Sequence, residues 1–222
     1  FLAVRRPPSF PLFPYTTLFR SLRGTFTLTA EGQSDSNIRR IFTTGFRSEW
    51  KNTMESQLLA ISPKAKLLSV DYGKNPKDYQ AAPIKITFRY EIPDYALKGE
   101  KEMFFRPLVM NNLYNQVRSY LRIDTSLKER KYGFKDGCSR LVELDETIQL
   151  PAGYKLANAD KNETMQGTGA DFEGSLAQQG NKVLLHNKLA LKKRVYEAAD
   201  WDSFRNAVNA HKAYGEYLVI KK

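Results

Sequence analysis

The sequence predicts an α+β protein built mainly from antiparallel β-sheet, with one long amphipathic helix at about 36–60 and a short C-terminal helix at about 201–214. Three patterns predict it. Several runs alternate apolar and polar residues with period two, the mark of strands buried on one face. One stretch repeats its apolar residues every three or four positions, the mark of a half-buried helix. Gln179-Gly180-Asn181 separates two of the alternating runs and reads as a hairpin turn. At 222 residues the chain holds one large domain or two small ones. Its 41% hydrophobic and 27% charged residues are ordinary for a globular protein able to bury a core without disulfides. No apolar run approaches the roughly 20 residues of a membrane-spanning helix. One cysteine excludes an internal disulfide, and two histidines leave few ligands for zinc.

The opening residues, 1–21, contain Pro7, Pro8, Pro11 and Pro14, which remove backbone donors and speak against regular structure. They lack the uninterrupted apolar core of a signal peptide. Arg5-Arg6-Pro7-Pro8 and the run from Leu12 through Phe13, Pro14, Tyr15, Thr16, Thr17, Leu18, Phe19 and Arg20 to Ser21 resemble the peptide translated from sequencing-adapter DNA in a metagenomic read. That resemblance implies a non-native segment and a chain that starts inside a longer protein; a proline-rich recognition arm is the rival reading. Arg5, Arg6 and Arg20 supply three of the net +11 charges.

From Gly24 to Ala30, Phe26 and Leu28 alternate with threonines, as in a half-buried strand. Asp35 or Ser36 can cap the helix that follows. Ile38, Ile41, Phe42, Phe46, Trp50, Met54 and Leu58 line one face of it, Gly45 weakens its middle, and Pro63 follows its end. Strands are expected over 65–71 and 84–90, with the Gly73–Pro76 turn between them. The stretch 101–106 is expected to pair back across Pro93-Asp94 and Lys98-Gly99. Residues 107–130 read as a connection, or as a helix opened by Pro107. Val142, Leu144, Ile148 and Leu150 share a strand face that Glu146 interrupts. Runs 171–178 and 182–194 form the hairpin, Asp200 and Asp202 cap the short helix, and 217–220 close the chain as a strand. The expected organisation is 1–21 as the foreign segment, 22–110 as an α+β lobe, and 111–222 as a β-rich C-terminal domain.

Side chains that could carry chemistry are few. A cysteine nucleophile needs a base and a setting that lowers its pKa, commonly a helix N-terminus. Cys138 follows Asp136-Gly137 into a strand, and neither His186 nor His211 is near it in sequence. An inert cysteine fits better. Asp35, Asp160 and Glu163 lack regular metal-ligand spacing, Asp200 and Asp202 are explained as caps, and His186 and His211 read as surface or packing residues. Gly167-Thr168-Gly169 precedes no convincing helix, so no phosphate loop is expected. No catalytic, cofactor-binding or metal residues are assigned, and no cofactor is expected.

Basic residues cluster at Lys128, Arg130 and Lys131 and again at Lys188, Lys192, Lys193, Arg194, Lys221 and Lys222. With Tyr196, Trp201 and Phe204 nearby they invite a nucleic-acid reading through phosphate contacts and stacking. Glu129, Glu197, Asp200 and Asp202 interrupt them, and no nucleic-acid motif is present. A solvated strand face accounts for the same residues.

Four motifs fall in a particular order: the run from Lys128 through Glu129, Arg130, Lys131, Tyr132 and Gly133 to Phe134; Thr147-Ile148-Gln149-Leu150-Pro151-Ala152-Gly153-Tyr154; Phe172-Glu173-Gly174-Ser175-Leu176; and the terminal run from Tyr217 to Lys222. Together they resemble the C-terminal region of bacterial transglutaminase-like proteins of the Bacteroidetes type, which carry an N-terminal β-rich domain of unknown function, a papain-like core and a β-rich tail. Gly133 departs from the pattern, standing where a proline is usual. The resemblance implies a non-catalytic accessory domain of a periplasmic or secreted protein. Such a domain packs on its own upstream transglutaminase-like core or helps present a protein or peptide substrate. The family's catalytic Cys, His and Asp lie in that core, so none transfers to this sequence, and Cys138 is not the nucleophile position. A stand-alone glycan- or protein-binding β module is the alternative, and it expects Trp50 and Trp201 to face solvent. A cysteine enzyme expects His186 or His211 beside Cys138.

Overall fold

The computed structural model of the chain describes residues 2–4, 21–80, 83–110 and 119–222. Its largest element is an eight-stranded sheet in the order β10-β11-β12-β8-β1-β2-β4-β3. These strands are β1 (Leu2–Val4), β2 (Leu22–Ala30), β3 (Lys66–Asp71), β4 (Ile84–Ile92), β8 (Arg140–Gln149), β10 (Lys161–Met165), β11 (Ala170–Gln179) and β12 (Lys182–Leu191). A four-stranded sheet adds β5 (Leu97–Lys98), β6 (Glu102–Phe105), β14 (Leu218–Lys221) and β9 (Lys155–Leu156), in the order β5-β6-β14-β9. β7 (Phe134–Lys135) and β13 (Val195–Tyr196) pair with each other. All pairings are antiparallel except β1 on β8, so the α+β, mainly antiparallel architecture holds among the described residues.

Period-two patterning builds the long strands. In β4 the side chains of Ile84, Ile86, Phe88, Tyr90 and Ile92 are buried while Lys85 and Arg89 face water. In β12, Val183, Leu185, Asn187, Leu189 and Leu191 are buried on one face. Gly180, at φ 60°, occupies the first central position of the two-residue turn between β11 and β12, where an L side chain would be strained. The buried side chains from both ends of the large sheet join in one continuous core.

The single helix expected over 36–60 is two: α1 (Gly32–Thr43) and α2 (Trp50–Leu59), joined through a short 3-10 turn at Arg47–Glu49. The break falls at Gly45-Phe46. Phe46 is extended, at φ −74° and ψ 155°, and its N–H donates to Glu49 Oε2 at 2.9 Å. The chain turns back there, and the indole N–H of Trp50 donates to the Phe42 carbonyl at 3.2 Å. Phe42, Trp50 and Tyr72 then meet edge to face. A straight helix would forgo that packing, and Phe46, expected on the apolar face, is instead exposed. Asp35 does not cap α1 but lies inside it, bonded to Arg39 at 2.7 Å and accepting the Ile84 N–H.

Other expectations also shift. β6 pairs back onto β5, but its second neighbour is β14 and not β4. β10 was not legible as a strand. The prolines of residues 1–21 begin at Pro7, beyond the three residues that form β1, so regular structure does occur in that segment. The connection or helix expected over 107–130 falls partly on 111–118, outside the described residues; Ser119–Arg122 form a 3-10 turn. The short C-terminal helix appears as α3 (Trp201–Ala213), packed on β11 and β12.

Candidate interaction site on the sheet face

The alternation that buries one face of β8 and β12 sends Glu143, Asp145, His186 and Lys188 to the other. Register sets them in rows: Ser175, His186 and Asp145 lie side by side across β11, β12 and β8, with Glu173, Lys188 and Glu143 in the row beside them. His186 Nδ1 and Asp145 Oδ1 are 2.7 Å apart. Ligand-type atoms of Glu143, Asp145 and His186 all lie within 4.8 Å of one another, and each side chain is partly exposed. Sequence reading missed this group, because it forms only when His186 pairs with Asp145 from 41 positions away.

By residue type the first row reads Ser–His–Asp, yet its geometry is not that of a nucleophile. No hydrogen bond joins the Ser175 hydroxyl to the ring among the described residues. The strand N–H groups around it are committed to the ladder, which leaves no oxyanion donors. What the rows offer is a patch of alternating charge on an open pleated face, suited to holding a basic side chain.

The other candidate residues are spread out. Cys138 is a free, half-exposed thiol. His211 is buried, with Nδ1 2.6 Å from Asn187 Oδ1 and Nε2 3.0 Å from Tyr120 Oη. Among the described residues, the rings of His186 and His211 bond to Asp145, Asn187 and Tyr120. Gly167 N donates to Asp171 Oδ1 and Gly169 N to Ser203 Oγ, so these amides are taken by side chains. Glu163 pairs with Lys161, and Asp160 lines a shallow hollow beside Tyr214. Asp202 sits 3.9 Å from Arg205.

Both tryptophans are buried, Trp50 at 4% and Trp201 at 1% exposure, against the glycan-module expectation that they face solvent. Several late lysines are paired: Lys192 with Asp171, Lys193 with Asp200 and Lys221 with Glu102. Arg130 lies over Phe134 and Trp201 at 4.8 Å from each ring centre. Trp201, Tyr196 and Phe204, which would have to stack on bases, are instead buried against one another.

Asp200 does more than begin α3. Its carboxylate accepts from Lys193 Nζ at 2.7 and 2.9 Å, from Thr168 Oγ1 at 2.9 Å and from the Glu197 N–H at 2.9 Å. The Lys193 ammonium outweighs burial and, with the other two donors, holds this carboxyl below its ordinary range. A carboxyl lowered on folding stabilises above its unfolded pKa, and that contribution drains away as pH falls through the folded value. Asp200→Asn is therefore expected to cost about 1–3 kcal/mol at neutral pH. The melting-temperature gap to the parent should be constant above about pH 4, begin to narrow below it, and close only below the lowered folded value. Thermal unfolding of both proteins from pH 7 to 3 checks this; a constant difference would contradict it.

The fold and the face thus define an α+β sheet domain whose described polar clusters suit binding and packing. The family described as a domain of unknown function with solved structure, DUF3858, matches residues 101–219, more than half of the chain, and the chain belongs to that family. No curated protein matches it. A crystal structure of a candidate protease from Parabacteroides distasonis is similar, with a TM-score of 0.47 and 11% identity over 55% of this chain and 24% of that one. The chain spans about a quarter of the length of that structure.

Proposed function

We propose that this chain is the non-catalytic C-terminal accessory portion of an exported, transglutaminase-like protein, with residues 1–21 foreign to it and a boundary near 110. The domain packs on an upstream papain-like core, or helps present a protein or peptide to that core, in the periplasm or outside the cell. One observation carries the reading: the family match over 101–219 falls on the stretch that holds three of the ordered motifs and the start of the fourth. The side chains agree with it in kind. His211 is locked into a buried network, His186 is bonded to Asp145, and the extended strands of the large sheet can pair with further polypeptide.

The reading predicts that Cys138 does no chemistry. Amine incorporation into a glutamine-containing peptide, assayed with the 222-residue chain, should stay at the buffer rate and be the same for Cys138→Ser. Turnover that disappears in Cys138→Ser would overturn the reading.

A further inference from the structure

On the exposed face of β8 and β12, Glu143 and Lys188 stand in register across the two strands, and Glu173 flanks Lys188 from β11. Among the described residues neither carboxylate forms an ion pair with that ammonium. Glu143 instead brings its carboxylate within 4.8 Å of ligand-type atoms of both Asp145 and His186. Asp145 lies two positions along the same strand, so the two carboxylates project from one face. Like charges gathered in this way repel each other, although a lysine stands in the next row. A shared cation relieves that repulsion.

We infer that Glu143, Asp145 and His186 form a binding site for one divalent transition-metal ion of the zinc class. The donor set is one imidazole nitrogen and two carboxylate oxygens, which suits first-row transition ions; magnesium and calcium favour oxygen ligands alone. His186 Nδ1 and Asp145 Oδ1, 2.7 Å apart, are close enough for both to reach one ion at the roughly 2.0–2.2 Å of zinc ligands. Glu143 has the longest and freest side chain of the three, so any remaining closure falls to it. The ion replaces the proton between His186 and Asp145. A neutral ring then carries that proton on Nε2, and no net proton is released. A basic side chain would satisfy the two carboxylates and leave the ring unused, whereas a metal ion uses all three groups. Bound there, it fastens β8 to β12 within their long paired ladder and keeps a position open to water.

Little else in the chain competes for such an ion. The described residues form no second group of this kind, and residues 1, 5–20, 81–82 and 111–118 contain no histidine, cysteine, aspartate or glutamate. His211 is buried with both ring nitrogens engaged, which leaves Cys138 as the remaining soft ligand. All three ligands belong to β8 and β12, so the site draws nothing from the opening residues. The inference goes beyond the accessory-domain reading and does not depend on it.

The test is a zinc titration of the tag-free, chelator-treated 222-residue chain by calorimetry, in a Cys138→Ser background so that the thiol takes no part. One ion per chain is expected. Glu143→Gln, Asp145→Asn and His186→Gln should each weaken binding at least about tenfold. Ser175→Ala, beside His186 but outside the ligand set, should leave it unchanged. Magnesium should bind at least about a hundredfold more weakly than zinc. Zinc at about a hundred times its Kd should raise the melting temperature of the parent and leave that of His186→Gln where it was. No zinc binding, binding that survives all three ligand substitutions, an equal loss in Ser175→Ala, or magnesium binding as tightly as zinc would overturn the proposal. Should a variant fail to fold, nuclear magnetic resonance of the unaltered chain decides. Zinc should then move the ring signals of His186 and leave those of His211 in place; the reverse, or no movement, would overturn it. None of these outcomes involves amine incorporation, so the two readings can fail independently.

Discussion

Truncating Trp201 to alanine is expected to destabilise the protein by about 3–5 kcal/mol, the range for removing a large buried aromatic. The indole is 1% exposed. It packs against Phe134 at 5.5 Å and Phe204 at 5.9 Å between ring centres, lies under the Arg130 guanidinium, and donates its N–H to the Leu127 carbonyl at 3.0 Å. Alanine would leave a cavity between α3, β7 and the 127–130 segment and take the indole donor from that carbonyl. For a chain of this size the melting temperature should fall on the order of 10 °C. Trp201→Phe keeps most of the packing and should lose about 1–2 kcal/mol. Calorimetry on both variants checks the pair. A loss below about 1 kcal/mol for alanine would mean that Trp201 does not close this part of the core.

His211→Leu is expected to cost about 2–4 kcal/mol, by stranding buried polar partners more than by changing volume. Asn187 Oδ1 can only accept, so His211 Nδ1 carries the proton. In the neutral ring Nε2 then accepts from Tyr120 Oη. Asn187 Nδ2 also reaches back to the His211 carbonyl at 3.4 Å, which fixes its amide orientation. Leucine removes the centre of this chain. Tyr120→Phe alone should cost about 1 kcal/mol and almost nothing further once His211 is gone. Urea unfolding of the two single variants and the double variant measures that coupling. Additive losses would show that the three side chains do not act as a unit.

The network's partners explain what the sequence could and could not reveal. His211 was placed on the short helix by its spacing from Phe204 and Val208, and α3 forms there. Asn187 and Tyr120, which bond to its ring, come from β12 and from the 3-10 turn near 120, distances that no local pattern encodes. Likewise β8, β11 and β12 were legible because each buries one face along its length, so alternation survives in the residues. β10 was not, because Lys161-Asn162-Glu163-Thr164-Met165 is an edge strand in which no residue is fully buried and only Met165 packs on the core, so too little alternation is left in the residues. Glu146 broke the apolar pattern of β8 yet is buried, because the backbone N–H of Val109 reaches it at 3.1 Å. The break between α1 and α2 was visible only as Gly45. The Trp50 side chain that profits from it packs on Tyr72, outside the helical run. The Glu143–Asp145–His186 group needed both the alternation and the register, and only the alternation is written locally.

Sequencing the genomic DNA ahead of Leu22 decides whether this chain is the tail of a catalytic protein. The expected result is an open reading frame that departs from residues 1–21 and continues upstream into a papain-like core with its own cysteine, histidine and aspartate. An initiator codon close to Leu22, or an unrelated domain in that place, would contradict it.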